Sequence, residues 1–240
     1  MTKLNLCVDI DSTITRPDYW VEYANNHFDT NYKYDDDTVE NYFKDNHFDY
    51  KKFDDFYHEY AEKMHETASI RPKAKRNIRK LEKFCNINYV TARESHIEPI
   101  TTEWLKKNKV YYNTYHLGSF KKTNKAKELN CDIFIEDNLE TSKELAAEGI
   151  KVILIDTGFN RYDDPENIVR VYNWDDIYEE IISYYKSHEK YWHFKLKIII
   201  LSRIKYSFNL VQWDLQGDKW WSNYRLLVSA RSLFLSPKFN

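Results

Sequence analysis

The sequence predicts an α/β fold, a Rossmann-like parallel sheet with helices on both faces. Three observations lead there. Short apolar runs recur along the chain, at Leu4 to Ile10, Ile87 to Val90, Val110 to Tyr115, Ile133 to Ile135 and Val152 to Ile155. Helical patterns lie between most of them, and such alternation implies a doubly wound sheet. Acids or hydroxyls follow several runs directly, at the carboxyl edge where open α/β sheets bind ligands.

The elements follow in order. The run Leu4-Asn5-Leu6-Cys7-Val8 delivers Asp9-Ile10-Asp11 to the end of the first strand. Residues 15 to about 70 then break the alternation. They hold no convincing strand and many Asp, Glu, Tyr and Phe residues. Asp37-Thr38-Val39-Glu40 reads as a capping box, and Phe53, Phe56, Tyr57, Tyr60 and Met64 recur at helical spacing. This is expected to be a small helical cap, its aromatics mostly packed inside it. Trp20, Tyr42 and Phe43 are the alternatives for stacking on a substrate ring. Ser95-His96-Ile97-Glu98 is a second capping-box pattern, opening a helix with Ile97, Ile100, Trp104 and Leu105 on one side. Asn138 is placed to cap a helix that runs through Leu145 and Ala146 and stops at Gly149. The expected organisation is a core of residues 1–14 and 71–180, a cap of residues 15–70 and an extension of residues 181–240.

Bulk properties exclude several classes. A net charge of −2 over 240 residues gives no general nucleic-acid signal, and no specific nucleic-acid partner is expected. The three cysteines, Cys7, Cys85 and Cys131, form no C-x-x-C and read as reduced thiols of a cytoplasmic protein. No signal-peptide pattern opens the chain, and no apolar stretch reaches membrane-span length. Residues 186–240 differ from the rest, with ten Lys/Arg against three Asp/Glu. Trp192 to Trp213 interleaves aromatics with Lys and Arg, Gln216-Gly217-Asp218 reads as a turn, and Trp220, Trp221, Tyr224, Leu227 and Val228 return at helical spacing. This mostly helical extension is expected to pack on its own core or a second copy, or to lie on an anionic membrane surface. Nucleic-acid backbone is a further alternative.

Four elements carry the chemistry, in a fixed order. Asp9 and Asp11 end the first strand. Thr91, in Tyr89-Val90-Thr91-Ala92-Arg93, ends the next. Lys121 and Lys122 stand ahead of the fourth strand, with Lys125 nearby. Glu136 and Asp137 end that strand. These are the groups that phosphoryl transfer through an aspartyl-phosphate would need, a carboxylate to attack phosphorus and a lysine with an oxygen-ligated Mg²⁺ to neutralise the transferring group. A hydroxyl and backbone N–H groups hold the phosphate oxygens. Arg93 is expected to tie the cap to the core rather than to meet substrate. The eight histidines show no metal-ligand spacing.

This order resembles the haloacid dehalogenase superfamily of phosphohydrolases. Within it, Val8-Asp9-Ile10-Asp11, Tyr89 to Arg93, Asp132 to Asp137, Gly149 to Leu154 and Ile168 to Trp174 are most similar to the 5′(3′)-deoxyribonucleotidase branch and its bacterial nucleotidases. The likeness covers about residues 4 to 180. It implies that Asp9 is the nucleophile and a Mg²⁺ ligand. Asp11 would protonate the leaving alcohol, then deprotonate water, and lend its backbone carbonyl to the metal. Thr91 and Ala92 would hold phosphate oxygens, and Lys122 would bind phosphate and nucleophile. Asp137 would bind the metal directly and Glu136 through water. Ser12 stands where the family usually has Gly, and Glu136 where it often has Asp. The implied substrate is a (deoxy)nucleoside monophosphate. The rivals are another small phosphoester, such as a sugar phosphate, and a non-catalytic adaptor working through its C-terminal extension.

Overall fold

The computed structural model describes residues 3–33, 50–158, 160, 161, 163, 165 and 167–188. A six-stranded sheet forms the frame, in the order β3-β2-β1-β4-β5-β6 and parallel throughout. Its strands are β1 (Leu4–Val8), β2 (Cys85–Val90), β3 (Thr114–His116), β4 (Ile133–Glu136), β5 (Lys151–Ile155) and β6 (Ile168–Val171). The helices are α1 (Val21–Phe28), α2 (Tyr50–Thr67), α3 (Ala74–Leu81), α4 (Glu98–Lys107), α5 (Lys122–Glu128), α6 (Leu139–Ala147) and α7, residues 174–188.

Both faces of the sheet are covered, because successive side chains of a strand point to opposite sides. Leu4, Leu6, Val8, Ile133, Ile135, Ile153 and Ile155 join one core, shared with Ile78 and Leu81 of α3, Trp104 and Leu105 of α4, and Trp174, Ile177 and Ile181 of α7. Cys7, Val90, Phe134 and Val152 face the other way, onto Ala126 of α5 and Leu145 of α6. Near-continuous apolar strands are the signature of a parallel sheet buried on both sides.

The segment between β1 and α3 has a core of its own. Trp20, Val21 and Ala24 pack with Phe56 and Met64, bordered by Phe53, Tyr57 and Tyr60. The helical spacing of these aromatics is therefore packing. Trp20 is buried edge-on to Phe53, 5.9 Å between ring centroids, which rules it out as a stacking platform. Tyr42, Phe43 and the capping pattern at Asp37 lie outside the described residues, as does the extension after residue 188. Two short chain passages connect the insert to the sheet. Thr15 pairs with Ile70, Arg16 N–H donates to the Ser69 carbonyl and Arg71 N–H to that of Ile14.

Several local expectations are corrected. The Ser95 capping box does not form. Residues Ser95–Ile97 make a 3₁₀ turn instead, and the Glu98 carboxylate that would close the box accepts from the Tyr115 hydroxyl at 2.9 Å. The third strand is only Thr114–His116. Val110 is buried ahead of it, and the chain joins β2 at Asn113, whose N–H donates to the Ile87 carbonyl. The first strand ends at Val8, although Asp9 N–H still reaches the Ile135 carbonyl at 3.0 Å. Asn138 does cap α6, its side chain accepting from Thr141 N–H, and Gly149 follows the helix at φ +79°. Among the described residues no helix is long and apolar enough to cross a membrane.

Candidate active site

The order of strands changes direction between β1 and β4. The chain builds outward from β1 through β2 and β3, then returns to β4 and builds the other way. A crevice opens at such a switch point, beyond the carboxyl ends of the strands. Asp9 leaves β1 on one side of it, and Glu136 and Asp137 leave β4 on the other.

The carboxylates of Asp9, Glu136 and Asp137 converge, with one oxygen from each within 4.8 Å of the others. Asp9 and Glu136 are almost fully buried, at 4% and 1% exposure. Lys122, the first residue of α5, reaches between them. Its Nζ lies 2.6 Å from Asp9 Oδ1 and 2.8 Å from Glu136 Oε2. Lys122 is thus the lysine brought to the acids, while Lys125 pairs with Glu128 on the surface and Lys121 is exposed. Burial by itself would depress the Lys122 ammonium, but the charges of Asp9 and Glu136 outweigh it and hold the group protonated. Burial also pushes Asp9 up to about 7; Lys122 pulls it back, and Glu136 and Asp11 add to the rise. Asp137 is raised well above the carboxylate range by burial and by Glu136 and Asp9. Three clustered acids share one lysine, so ionising the whole set calls for further positive charge. An all-oxygen donor set of this kind fits a hard divalent cation such as Mg²⁺.

Asp11 sits in a different setting. The Arg93 guanidinium grips it as a fork, Nε to Oδ2 at 2.8 Å and Nη2 to Oδ1 at 2.7 Å, and a further bond runs from Nη1 to Thr101 Oγ1. From the insert, His65 of α2 places Nδ1 3.3 Å from Asp11 Oδ1, while its Nε2 meets the Tyr57 hydroxyl at 2.9 Å. Burial would raise the Asp11 carboxyl, but Arg93 and His65 overcome it and hold the group far below the usual carboxylate range. Arg93 is 2% exposed and binds Asp11 and Thr101 directly; it meets the insert through Asp11 and His65.

The turn after β1 explains one departure from the family pattern. Ser12 has φ +57°, a left-handed conformation that glycine adopts without strain. Ser12 N–H donates to Thr15 Oγ1, and its carbonyl accepts from Arg71 Nε at 2.8 Å. Thr13 Oγ1 donates to Asp137 Oδ1 at 3.3 Å, linking the two acid-bearing turns. Thr91 is buried at the end of β2, accepting at Oγ1 from Arg93 N–H, and Ala92 beside it is exposed.

Sequence reading passed over His65, Thr13, Arg71 and Asn160. A lone histidine on a helix gives no signal of its own. Arg93, two residues beyond Thr91 at a strand end, stood in the right place, but its partner followed only from the fold.

Comparisons with known proteins identify the family and the fold. The family model described as 5′ nucleotidase, deoxy (Pyrimidine), cytosolic type C protein matches residues 3–187. A nucleotidase of Clostridium acetobutylicum is 40% identical over 179 residues, covering 74% of this chain and 93% of that protein. YqfW of Bacillus subtilis is 32% identical over 173 residues, covering 71% and 90%. A haloacid dehalogenase-like hydrolase from Streptococcus pneumoniae shares the fold, with a TM-score of 0.53 at 11% identity over 76% of this chain and 98% of that one. With its carboxylates at the switch point of a haloacid dehalogenase-like sheet, this chain belongs to the cytosolic type C 5′-nucleotidase family and is an enzyme of the phosphatase class.

Proposed function

We propose that the protein hydrolyses (deoxy)nucleoside monophosphates through an aspartyl-phosphate on Asp9, with Mg²⁺ as cofactor. The observation that carries this reading is the cluster of buried Asp9, Lys122 and Glu136 with half-buried Asp137 at the switch point. The insert of residues 15–70 is the cap over this site in this reading, and the family match supports a nucleotide as substrate.

One Asp9 oxygen attacks phosphorus in line, the bond to the leaving alcohol breaks, and Asp11 supplies the proton that the alcohol takes up. Water then attacks the acyl-phosphate. Asp11 accepts its proton, Asp9 is released as a carboxylate and inorganic phosphate departs. Lys122 stays beside Asp9 throughout, neutralising the phosphoryl oxygens and holding the nucleophile's orientation. Thr91 and the Ala92 backbone line the phosphate position. Asp9, Asp137 and the Asp11 carbonyl are the metal ligands, with Glu136 behind them. Bound there, Mg²⁺ supplies positive charge to the transferring phosphoryl group. The Arg93 fork favours ionised Asp11, the form the water step uses. For the alcohol step Asp11 carries a proton, so the fork has to loosen once substrate is bound.

A screen of nucleoside monophosphates against sugar phosphates, with and without Mg²⁺, tests this reading. Nucleotide hydrolysis that stops with EDTA and with Asp9→Asn is expected. Full activity in EDTA, or turnover by folded Asp9→Asn, refutes it.

A further inference from the structure

The loop after β5 carries a buried polar strut with no part in the steps above. Asn160 is 1% exposed, and its amide uses its full hydrogen-bonding capacity. Nδ2 donates to the Asp137 carbonyl at 2.7 Å and to the Ile155 carbonyl at 2.8 Å. Oδ1 accepts from Thr157 N–H at 3.2 Å and from Arg170 Nη1 at 2.7 Å. Arg170, on β6, fixes the loop itself, its Nη2 reaching the carbonyls of Asn160 at 2.8 Å and Asp163 at 3.0 Å. Asp156 completes the cluster, accepting from Arg170 Nη1 at 3.1 Å and from Arg161 Nε at 3.0 Å.

Asp137 depends on this support. Among the described residues its carboxylate receives one long hydrogen bond, from Thr13 at 3.3 Å, so its direction is set mainly by the backbone beneath it. The peptide leaving Asp137 is gripped by Asn160. Fixing that carbonyl fixes the peptide plane between β4 and the Asn138 cap of α6, and with it the direction of the Asp137 side chain. Partners behind a ligand of this kind control metal affinity by orienting the group that binds.

We infer that Asn160, braced by Arg170, is the positioning residue that aims Asp137 into the cation site. The inference rests on the metal reading above and goes beyond it by assigning the cation's affinity to a loop residue that contacts neither cation nor substrate. Direct Mg²⁺ binding by titration calorimetry on the full chain tests it, with the melting temperature of the metal-free protein measured in parallel. Asn160→Ala is expected to weaken Mg²⁺ binding by roughly 10- to 100-fold, the usual effect of removing such a partner. Arg170→Lys keeps the charge but gives up the fork on Asn160. It should weaken binding in the same direction by a smaller factor, and it carries the test if Asn160→Ala does not fold. Folded variants with lower melting temperatures and wild-type Mg²⁺ affinity would overturn the inference and leave Asn160 a purely structural residue. Asp137→Ala separates the two levels. If it abolishes Mg²⁺ binding while the strut variants bind as wild type, only the strut fails. If wild type binds no Mg²⁺, or Asp137→Ala binds it unchanged, the metal reading itself fails.

Discussion

Replacing Lys122 with methionine probes the energetics of the site without touching an acid. The substitution keeps most of the side-chain volume and removes the charge. Lys122 Nζ sits 2.6 Å from Asp9 and 2.8 Å from Glu136, with only 7% of the residue exposed. At an effective dielectric of about 20, each contact carries about 6 kcal/mol of attraction, offset by several kcal/mol spent dehydrating each ion. The intact cluster therefore contributes little net stability, but removing one member strands two buried carboxylates. That costs about 3–5 kcal/mol, or a fall of roughly 6–20 °C in melting temperature for a domain of this size. The sign of the pH dependence follows. Without the ammonium, the Asp9 carboxyl, already raised by burial, rises further above its unfolded value, which lies near 4. Stability of the variant then falls as pH climbs through and above that point, because the unfolded chain releases protons that the folded one retains. The deficit relative to wild type should be largest near pH 8 and smaller near pH 5, where protonated carboxyls tolerate burial. Added Mg²⁺ should recover part of it by replacing the missing charge. Thermal unfolding at both pH values, with and without Mg²⁺, is the assay. A variant as stable as wild type at pH 8 in EDTA would show that Asp9 and Glu136 are not held as this geometry describes.

Three further outcomes are expected. Ser12→Gly removes a left-handed conformation from a residue with a Cβ and should stabilise the fold by about 0.5–1 kcal/mol; a lower denaturant midpoint would contradict this. Arg93→Gln releases the fork on Asp11, so the Asp11 carboxyl rises, the acid limb of the kcat profile moves to higher pH and kcat falls about 10- to 100-fold; an unshifted profile would separate Arg93 from Asp11. Burial lifts Asp9 to about 7 in the metal-free protein, so Mg²⁺ has to displace a proton below that pH. Asp137 is raised as well, so the affinity should weaken steadily as pH falls from 8 to 6, by at least about tenfold per unit below pH 7, and equal dissociation constants at pH 6 and pH 8 would refute the assignment.

The parts of the site legible in the sequence are those fixed by local order. A carboxylate straight after an apolar run is delivered to the strand's end wherever the strand lies, so Asp9, Thr91, Glu136 and Asp137 were readable from position alone. Asn138 was readable as a cap because its bond to Thr141 N–H spans only three residues. β6 was less visible. Ile168, Val169 and Arg170 are only partly buried, and a short edge strand with a charged residue has a weak apolar signature. The Ser95 pattern misled because a partner distant in sequence, the Tyr115 hydroxyl, took the carboxylate that the cap needed.

The sequence by itself determined the fold class, the family and the order of chemical groups along the chain, since strand periodicity and strand-end residues are properties of short segments. Tertiary structure decided which groups meet. It selected Lys122 over Lys121 and Lys125, because the start of α5 faces the crevice between β1 and β4. It joined Asp11 to Arg93, 82 residues away, and to His65 of the insert. It set Asn160 beneath Asp137, 23 residues back along the chain. Such pairings depend on burial and on distances across strands, and the free energy that brings the groups together comes from apolar burial across the whole sheet, since the paired charges add little net. No single segment encodes that term, so it exists only once the sheet has closed around the site.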